Sequence, residues 1–186
     1  TAHYGHMAIH PYPPELETMW HLPDGTDISV RPIRPEDAET EQEFVDNLSP
    51  ESKYFRFMNR MDKLTPLMLA RFTQIDYDRE MALAAVIHEH APEARIIGVA
   101  RYIGNPDGKS CEFALTVADT WQKKGLGRHL MQRLMTVAHN RGLELMEGDV
   151  LSKNTRMLRL CRTLGFRAVH DREDPEVVMV RRHLQT

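Results

Sequence analysis

The sequence predicts an α/β (α+β) domain built on a mixed, mostly antiparallel central sheet of about six to seven strands flanked by helices. Three observations predict it. Short apolar stretches of strand length are interleaved with longer stretches at helical spacing, as in folds that layer helices on a sheet. Three strand-like stretches in the middle follow one another with turn signals between them, which reads as an antiparallel meander. The last third instead alternates helix and strand, with Gly142 and Gly165 closing the two helices.

Residues 1–25 read as an N-terminal tail or linker. Pro11, Pro13 and Pro14 fall within four positions, a density that favours extended polyproline chain. The chain opens at Thr1 with no signal-peptide pattern, so it is expected to be a piece of a longer protein, with one domain over residues 26–186. Residues 27–33 alternate and form the first strand. Arg34-Pro35-Glu36-Asp37 starts a helix with proline and acids in its first turn, and helical spacing continues to about Leu48. Ser49-Pro50 and Thr65-Pro66 each start another, a hydroxyl cap followed by proline. The meander strands are 81–88, 95–103 and 110–117, with Asn105-Pro106-Asp107-Gly108 turning the second into the third. A helix over about 124–140 lines up Leu126, Leu130, Leu134, Val137 and Ala138 on one face. A strand at 143–150, a helix at 154–164 and short strands at 166–170 and 177–182 complete the chain.

With 24 Lys+Arg against 27 Asp+Glu in 186 residues, the net charge of −3 argues against a sequence-independent nucleic-acid binder, which carries a strong basic excess. No apolar run approaches the ~18 residues of a membrane span. Cys111 and Cys161, the only cysteines, supply neither a disulfide framework nor a four-Cys zinc site, so a reducing compartment, the cytoplasm, is expected. No metal is expected either, because the histidines lack the companions of a standard zinc site. His129 and His139 read as surface residues of the long helix, and Arg71, Arg79 and Glu80 as a solvated face or turn.

The stretch that carries chemistry is Val117-Ala118-Asp119-Thr120-Trp121-Gln122-Lys123-Lys124-Gly125-Leu126-Gly127, where a strand ends and a glycine-bearing turn opens a helix. The first N–H groups of a helix lack intrahelical partners and lie at the positive end of its dipole. Glycines let a ligand approach the backbone, and Lys123, Lys124 and Arg128 add positive charge. Such a turn suits a pyrophosphate; a plain turn is the alternative, and local physics leaves both open. A dinucleotide fingerprint fits poorly, since Leu130 stands where its third glycine belongs. A P-loop lacks its Gly-Lys-Ser/Thr.

Gln122-Lys123-Lys124-Gly125-Leu126-Gly127 resembles the Gln/Arg-x-x-Gly-x-Gly/Ala signature of the GNAT acyl-CoA N-acyltransferase superfamily, with Val117 at the usual offset. Asn154-x-x-Met157-x-x-Leu160-x-x-x-Leu164-Gly165-Phe166 resembles that superfamily's second cofactor segment, in the right order and with one strand between. The resemblance covers roughly residues 27–184 and implies a GNAT fold. Three further segments are similar to the bacterial protein lysine acetyltransferases: residues 8–13, Arg31-Pro32-Ile33-Arg34-Pro35-Glu36-Asp37 and residues 48–57. In that group the domain is often fused to an acyl-CoA-synthetase-like region, whose end the proline segment resembles.

The resemblance implies acetyl-CoA as co-substrate and direct attack of an amine on its thioester. Val117 would give its backbone N–H to the thioester carbonyl, and Leu115 would contact the cofactor beside it. The backbone of Gln122, Lys123, Lys124, Gly125, Leu126, Gly127 and Arg128 would hold the pyrophosphate. Asn154 would bond the pantetheine arm, or serve only as a helix N-cap. A lysine amine, with a pKa near 10.4, is neutral in only about one molecule in ~10³ at pH 7, so a base is useful. Glu112 is the candidate, a carboxylate in an apolar strand where burial is costly unless it faces a cleft; a strand-edge glutamate in water is the alternative. Glu147 and Asp149 on the neighbouring strand are next in line. Where many members place a tyrosine seven residues after the asparagine, this chain has Cys161, which is expected in the core and leaves the leaving-group acid unassigned.

The function expected is therefore acetylation of lysine side chains in protein substrates, such as acyl-CoA synthetases, with neither nucleic acid nor membrane as partner. A small-molecule amine acetyltransferase and a non-catalytic acyl-CoA-sensing module are the alternatives.

Overall fold

The computed structural model describes residues 12–58, 64–170 and 174–184. Among the described residues eight strands form one sheet in the order β1-β2-β3-β4-β5-β6-β8-β7: β1 Thr18–His21, β2 Asp27–Pro32, β3 Glu80–Ile87, β4 Arg95–Gly104, β5 Ser110–Val117, β6 Leu145–Leu151, β7 Arg167–His170 and β8 Val177–His183. Every ladder is antiparallel except β5 with β6. The helices are α1 Ala38–Asp46, α2 Pro50–Phe57, α3 Pro66–Thr73, α4 Leu126–Asn140 and α5 Thr155–Thr163.

The caps explain the helix starts. Ser49 accepts the N–H of Ser52 and Thr65 that of Met68, with Pro50 and Pro66 at the first helical position. Gly142 and Gly165 end α4 and α5 with φ of 87° and 89°, a region open to glycine at no steric cost. Asp37 does more than start a helix: it takes two hydrogen bonds from the buried Arg31, at 2.7 and 2.8 Å.

Alternation along β4 assigns the two layers. Gly98 faces Leu126 and Leu130 of α4, while Arg101, three residues on, reaches Glu41 of α1 at 2.9 Å. So α4 covers one face and α1 the other. Both layers close on one apolar core that includes Ile28, Leu83, Ile97, Leu130, Leu134 and Met146.

The sheet has one strand more than expected. β1 lies in the segment read as tail or linker, pairing Thr18–His21 with Asp27–Val30; residues 1–11 of that segment lie outside the described residues. Glu80 is also not on a solvated face: it is buried and held by both terminal nitrogens of Arg71.

Candidate active site

A fork in the sheet makes the site. β5 and β6 pair only at Ser110–Leu145, Cys111–Met146 and Glu112–Glu147. Beyond that rung β5 stays with β4 as far as Val117, and β6 stays with β8 as far as Leu151. Ala118 donates its N–H to Ile97 at 2.8 Å. Alternation then turns the N–H groups of Val117, Leu115 and Phe113 the other way, toward the gap that β6 has left. A cleft of about 560 Å³ occupies the gap, a volume suited to a small-molecule ligand.

The outer end of the cleft is the loop into α4. Lys123 and Gly125 have left-handed φ of 64° and 84°, and Gly125 caps the helix. Turns of this kind aim successive N–H groups into one anion-binding concavity, to which the first turn of α4 adds its own free N–H groups. A lysine at φ 64° is uncommon and marks a constrained position. Gln122 pins the loop, donating to the Val117 carbonyl at 3.1 Å and accepting from Arg156 at the start of α5. Asp119 anchors it to α2 by accepting the Ser49 N–H at 2.9 Å and the Ser49 and Ser52 hydroxyls at 2.9 and 2.7 Å. Burial acts to raise the Asp119 pKa, yet these donors prevail and hold it low.

Trp20 of β1 covers the loop. Its ring stacks on His129 with centroids 4.3 Å apart and 4° between planes, and it lies 3.9 Å from where a Cβ on Gly125 would be. His129 is thus half-buried and not a plain surface residue; burial, then Arg133, lowers its pKa. A Cβ on Gly127 would meet Leu115 and Leu160 at 3.4 Å, so glycine lets α4, β5 and α5 close together.

The inner end of the cleft is acidic. Glu112 sits on the last β5–β6 rung, exposed at the apex of the fork. Burial, then Asp149, then Glu147 push its carboxyl above the usual glutamate range. Asp149 itself lines the cleft, and Glu147 pairs with Arg181 at 3.2 Å.

Leu115, Val117, Gln122, Lys123, Gly125, Gly127, Arg128 and Asn154 all line this one cleft. Three expected site residues do not. Leu126 is buried in the core and the Lys124 ammonium lies 4.8 Å over the Trp121 ring, so both offer the loop their backbone. Glu112 stands at the apex, outside the lining. Asn154 caps α5, accepting the Met157 N–H at 3.3 Å, and also faces the cleft. Cys161 and Cys111 are buried thiols pushed up to about 12, Cys161 by burial and Cys111 by burial and then Glu147. No tyrosine is among the lining residues. Among the described residues no group of three or more His, Cys, Asp or Glu comes together to hold a metal, and no helix is long and apolar enough to cross a membrane.

Two parts of the lining were missed from the sequence. Ser52, Phe55, Arg56 and Met58 of the α2 region line the cleft because α2 packs beside β5 and Asp119 ties it to the loop, a tertiary fact with no local signal. Lys153, Arg156 and Arg159 also line it. Arg156 and Arg159, three apart, share one side of α5, and Lys153 stands just before its cap Asn154, a cluster of cations that was there to read.

Comparison with known proteins agrees with this geometry. The description "Acetyltransferase (GNAT) family" matches residues 43–166. The chain is 37% identical over 160 residues to the acetyltransferase PA5475 of Pseudomonas aeruginosa, covering 86% of each. It is 30% identical over 151 residues to the acetyltransferase Pat of Mycolicibacterium smegmatis, covering 81% of this chain but 44% of that protein. Among solved structures, the GNAT domain of S. lividans Pat superposes with a TM-score of 0.84 at 29% identity, covering 93% of this chain and 99% of that one.

Proposed function

The chain belongs to the acetyltransferase (GNAT) family, whose members use acetyl-CoA, and from that premise we propose that it acetylates lysine side chains of protein substrates, with Glu112 as general base. The observation that carries the reading is the single cleft with an anion nest at one end and carboxylates at the other. The pyrophosphate lies on the N–H groups of residues 123–128. The pantetheine arm extends along the free edge of β5, with Asn154 bonding it and Leu115 and Val117 supplying N–H donors. The thioester thereby reaches the apex of the fork.

There the amine nitrogen attacks the carbonyl carbon and the C–S bond breaks. CoA departs as a thiolate, and the proton of the amine passes to the Glu112 carboxylate. Of the free N–H groups on this edge of β5, that of Leu115 stands two residues nearer the apex than Val117, and it is the donor that can face the oxygen where negative charge develops. Departure of the thiolate needs no tyrosine, since a thiol is acidic enough to leave unprotonated.

A protein lysine as acceptor is supported by the likeness to the two Pat proteins and by the resemblance of residues 31–37 and 48–57 to protein lysine acetyltransferases. Fusion to a synthetase-like region and a cytoplasmic location belong to the same proposal; the two cysteines, both free and buried, suit a reducing compartment. Incubation with labelled acetyl-CoA and a panel of acyl-CoA synthetases and small amines tests it. Label on a lysine of a synthetase is expected; label on small amines alone would replace the protein substrate with a small one.

A further inference from the structure

The apex of the fork carries a feature that the transfer of an acetyl group does not by itself require. Gly148 is the first residue of β6 beyond the last β5–β6 rung, and Phe113 is the first of β5. A Cβ built on Gly148 would lie 2.4 Å from Cε1 of Phe113 and 2.8 Å from Cδ1 and Cζ. The phenyl ring therefore occupies the space that any side chain at 148 would need. Gly148 lies within β6, paired with Val180 of β8, and its φ is not in the left-handed region, so the ring and not the backbone conformation explains the glycine.

The ring is fixed from the far side as well. Phe166, which follows α5, packs on it with centroids 5.2 Å apart. Phe113 is 7% exposed, yet what it exposes lines the cleft. It is thus the floor of the slot where the two strands converge.

We propose that Phe113, seated on Gly148, sets the length of acyl chain that the enzyme accepts: a two-carbon acyl group ends at the ring, and longer chains collide with it. This rests on the reading that the thioester lies at the apex while the pyrophosphate lies on the loop. Phe113 is a specificity-determining residue in this account, and Gly148 a positioning residue that acts through it.

The test compares acetyl-, butyryl- and hexanoyl-CoA on the parent, Phe113→Ala and Phe113→Leu, reading kcat/KM and, independently of turnover, the thermal shift each thioester produces. In the parent, acetyl-CoA is favoured over butyryl-CoA by tenfold or more, the scale on which a pocket discriminates against extra methylenes. Phe113→Ala is expected to raise the butyryl-to-acetyl ratio about tenfold and to bring the thermal shifts of the three thioesters together. Phe113→Leu, which keeps more of the packing, moves the ratio in the same direction by less. Free CoA and all three thioesters stabilising the parent equally, with a ratio unmoved in folded variants, would overturn the size limit while leaving the cofactor site standing. No shift with CoA or any thioester would overturn the cofactor reading and this inference with it.

Discussion

At one end of the cleft the groups proposed to act are backbone N–H donors, those of Lys123 through Arg128; at the other they are side chains, Glu112, Phe113 and Asp149. The difference shows in what surrounds them. The loop end is over-determined: Gln122 ties it to β5 and α5, Asp119 to α2, and Trp20 lies on it from β1. Donors of fixed position suit a charged group present in every substrate of the class. The fork end rests on three rungs of parallel ladder, one aromatic ring and a glutamate whose charge burial and the nearby Asp149 and Glu147 disfavour. A geometry that holds the cofactor can therefore stay constant while the groups that meet the acyl chain and the amine are varied. Substitutions at the two ends should separate binding from turnover.

The largest effect is expected at the loop. Acetyl-CoA stabilises a native state that alone binds it, by ~2.7 kcal/mol at 100 times Kd. Gly125→Glu and Gly127→Glu put bulk and negative charge against the pyrophosphate and should abolish the thermal shift and the transfer together. Gly127 is also a packing position and Gly125 has a left-handed φ of 84° that a side chain strains, so each variant is compared with the matching Gly→Ala, which shares the structural cost without the negative charge. Circular dichroism establishes that each variant is folded. A full acetyl-CoA shift in both would move the cofactor away from this loop.

Next is the fork. Glu112→Gln should lower kcat by ~10²–10⁴ at neutral pH, the range for losing a general base, while the acetyl-CoA shift survives. Because burial, then Asp149, then Glu147 raise the Glu112 pKa, the acid limb of the parent's kcat/KM profile should lie above the ordinary glutamate value. Asp149→Asn removes one of those charges and should move the limb downward. The same shift has a stability consequence. A raised carboxyl binds its proton more tightly in the folded state, so that advantage is lost as pH rises through the folded pKa. Glu112→Gln should accordingly be no less stable than the parent at pH 7. Parental kcat across pH 6–9 in Glu112→Gln would place the base elsewhere, with Asp149 the first to try.

Why the loop was legible and the fork was not follows from chain distance. The glycines, the cations and the helix start lie within a dozen residues, and the helix caps at Ser49 and Thr65 are local as well. The fork depends on where a parallel register stops, and Phe113 meets Gly148 across an entire helix and its connections. Glu112 stood out as a charge in an apolar strand, in a Glu-Phe-Ala setting similar to the one that carries the catalytic glutamate of the protein lysine acetyltransferases, and Asp149 only as its neighbour in reserve. β1 escaped notice because four residues after a proline-rich run are too few for an alternating pattern, and because what makes it a strand is β2. Its Trp20 was illegible for the same reason.

A smaller effect is therefore expected from Trp20→Ala. Removing the plate over Gly125 and His129 loosens the loop without touching the fork, so KM for acetyl-CoA should rise roughly 2–10-fold with kcat retained. That range corresponds to the ~0.5–1.5 kcal/mol of an aromatic pair. The partner ring adds a pH dependence of its own. Burial and then Arg133 lower the His129 pKa, so the unfolded chain binds more protons there than the folded one, and stability declines as pH falls through about 6.5. Equal loss of kcat and KM in Trp20→Ala would mean that β1 supports the whole cleft and not the loop alone.

The smallest effect belongs to the cysteines, and it separates direct transfer from a covalent relay. A relay through Cys111 or Cys161 needs a thiolate, but both thiols are pushed up to about 12 and both are buried, at 0% and 2% exposure. Neither lines the cleft. Cys111 lies on the β5–β6 ladder one residue before Glu112, in place to pack beneath the apex and not to attack through it. Cys161 belongs to the apolar side of α5. Replacing both by Ala should leave kcat/KM for acetyl-CoA within a few-fold of the parent, at some cost in melting temperature from lost packing. Mass spectrometry of the parent mixed with acetyl-CoA and no acceptor should find neither cysteine acetylated. An acetyl-cysteine that is chased into product on adding the amine would transfer the chemistry from the fork to the core, and with it the role assigned to Glu112.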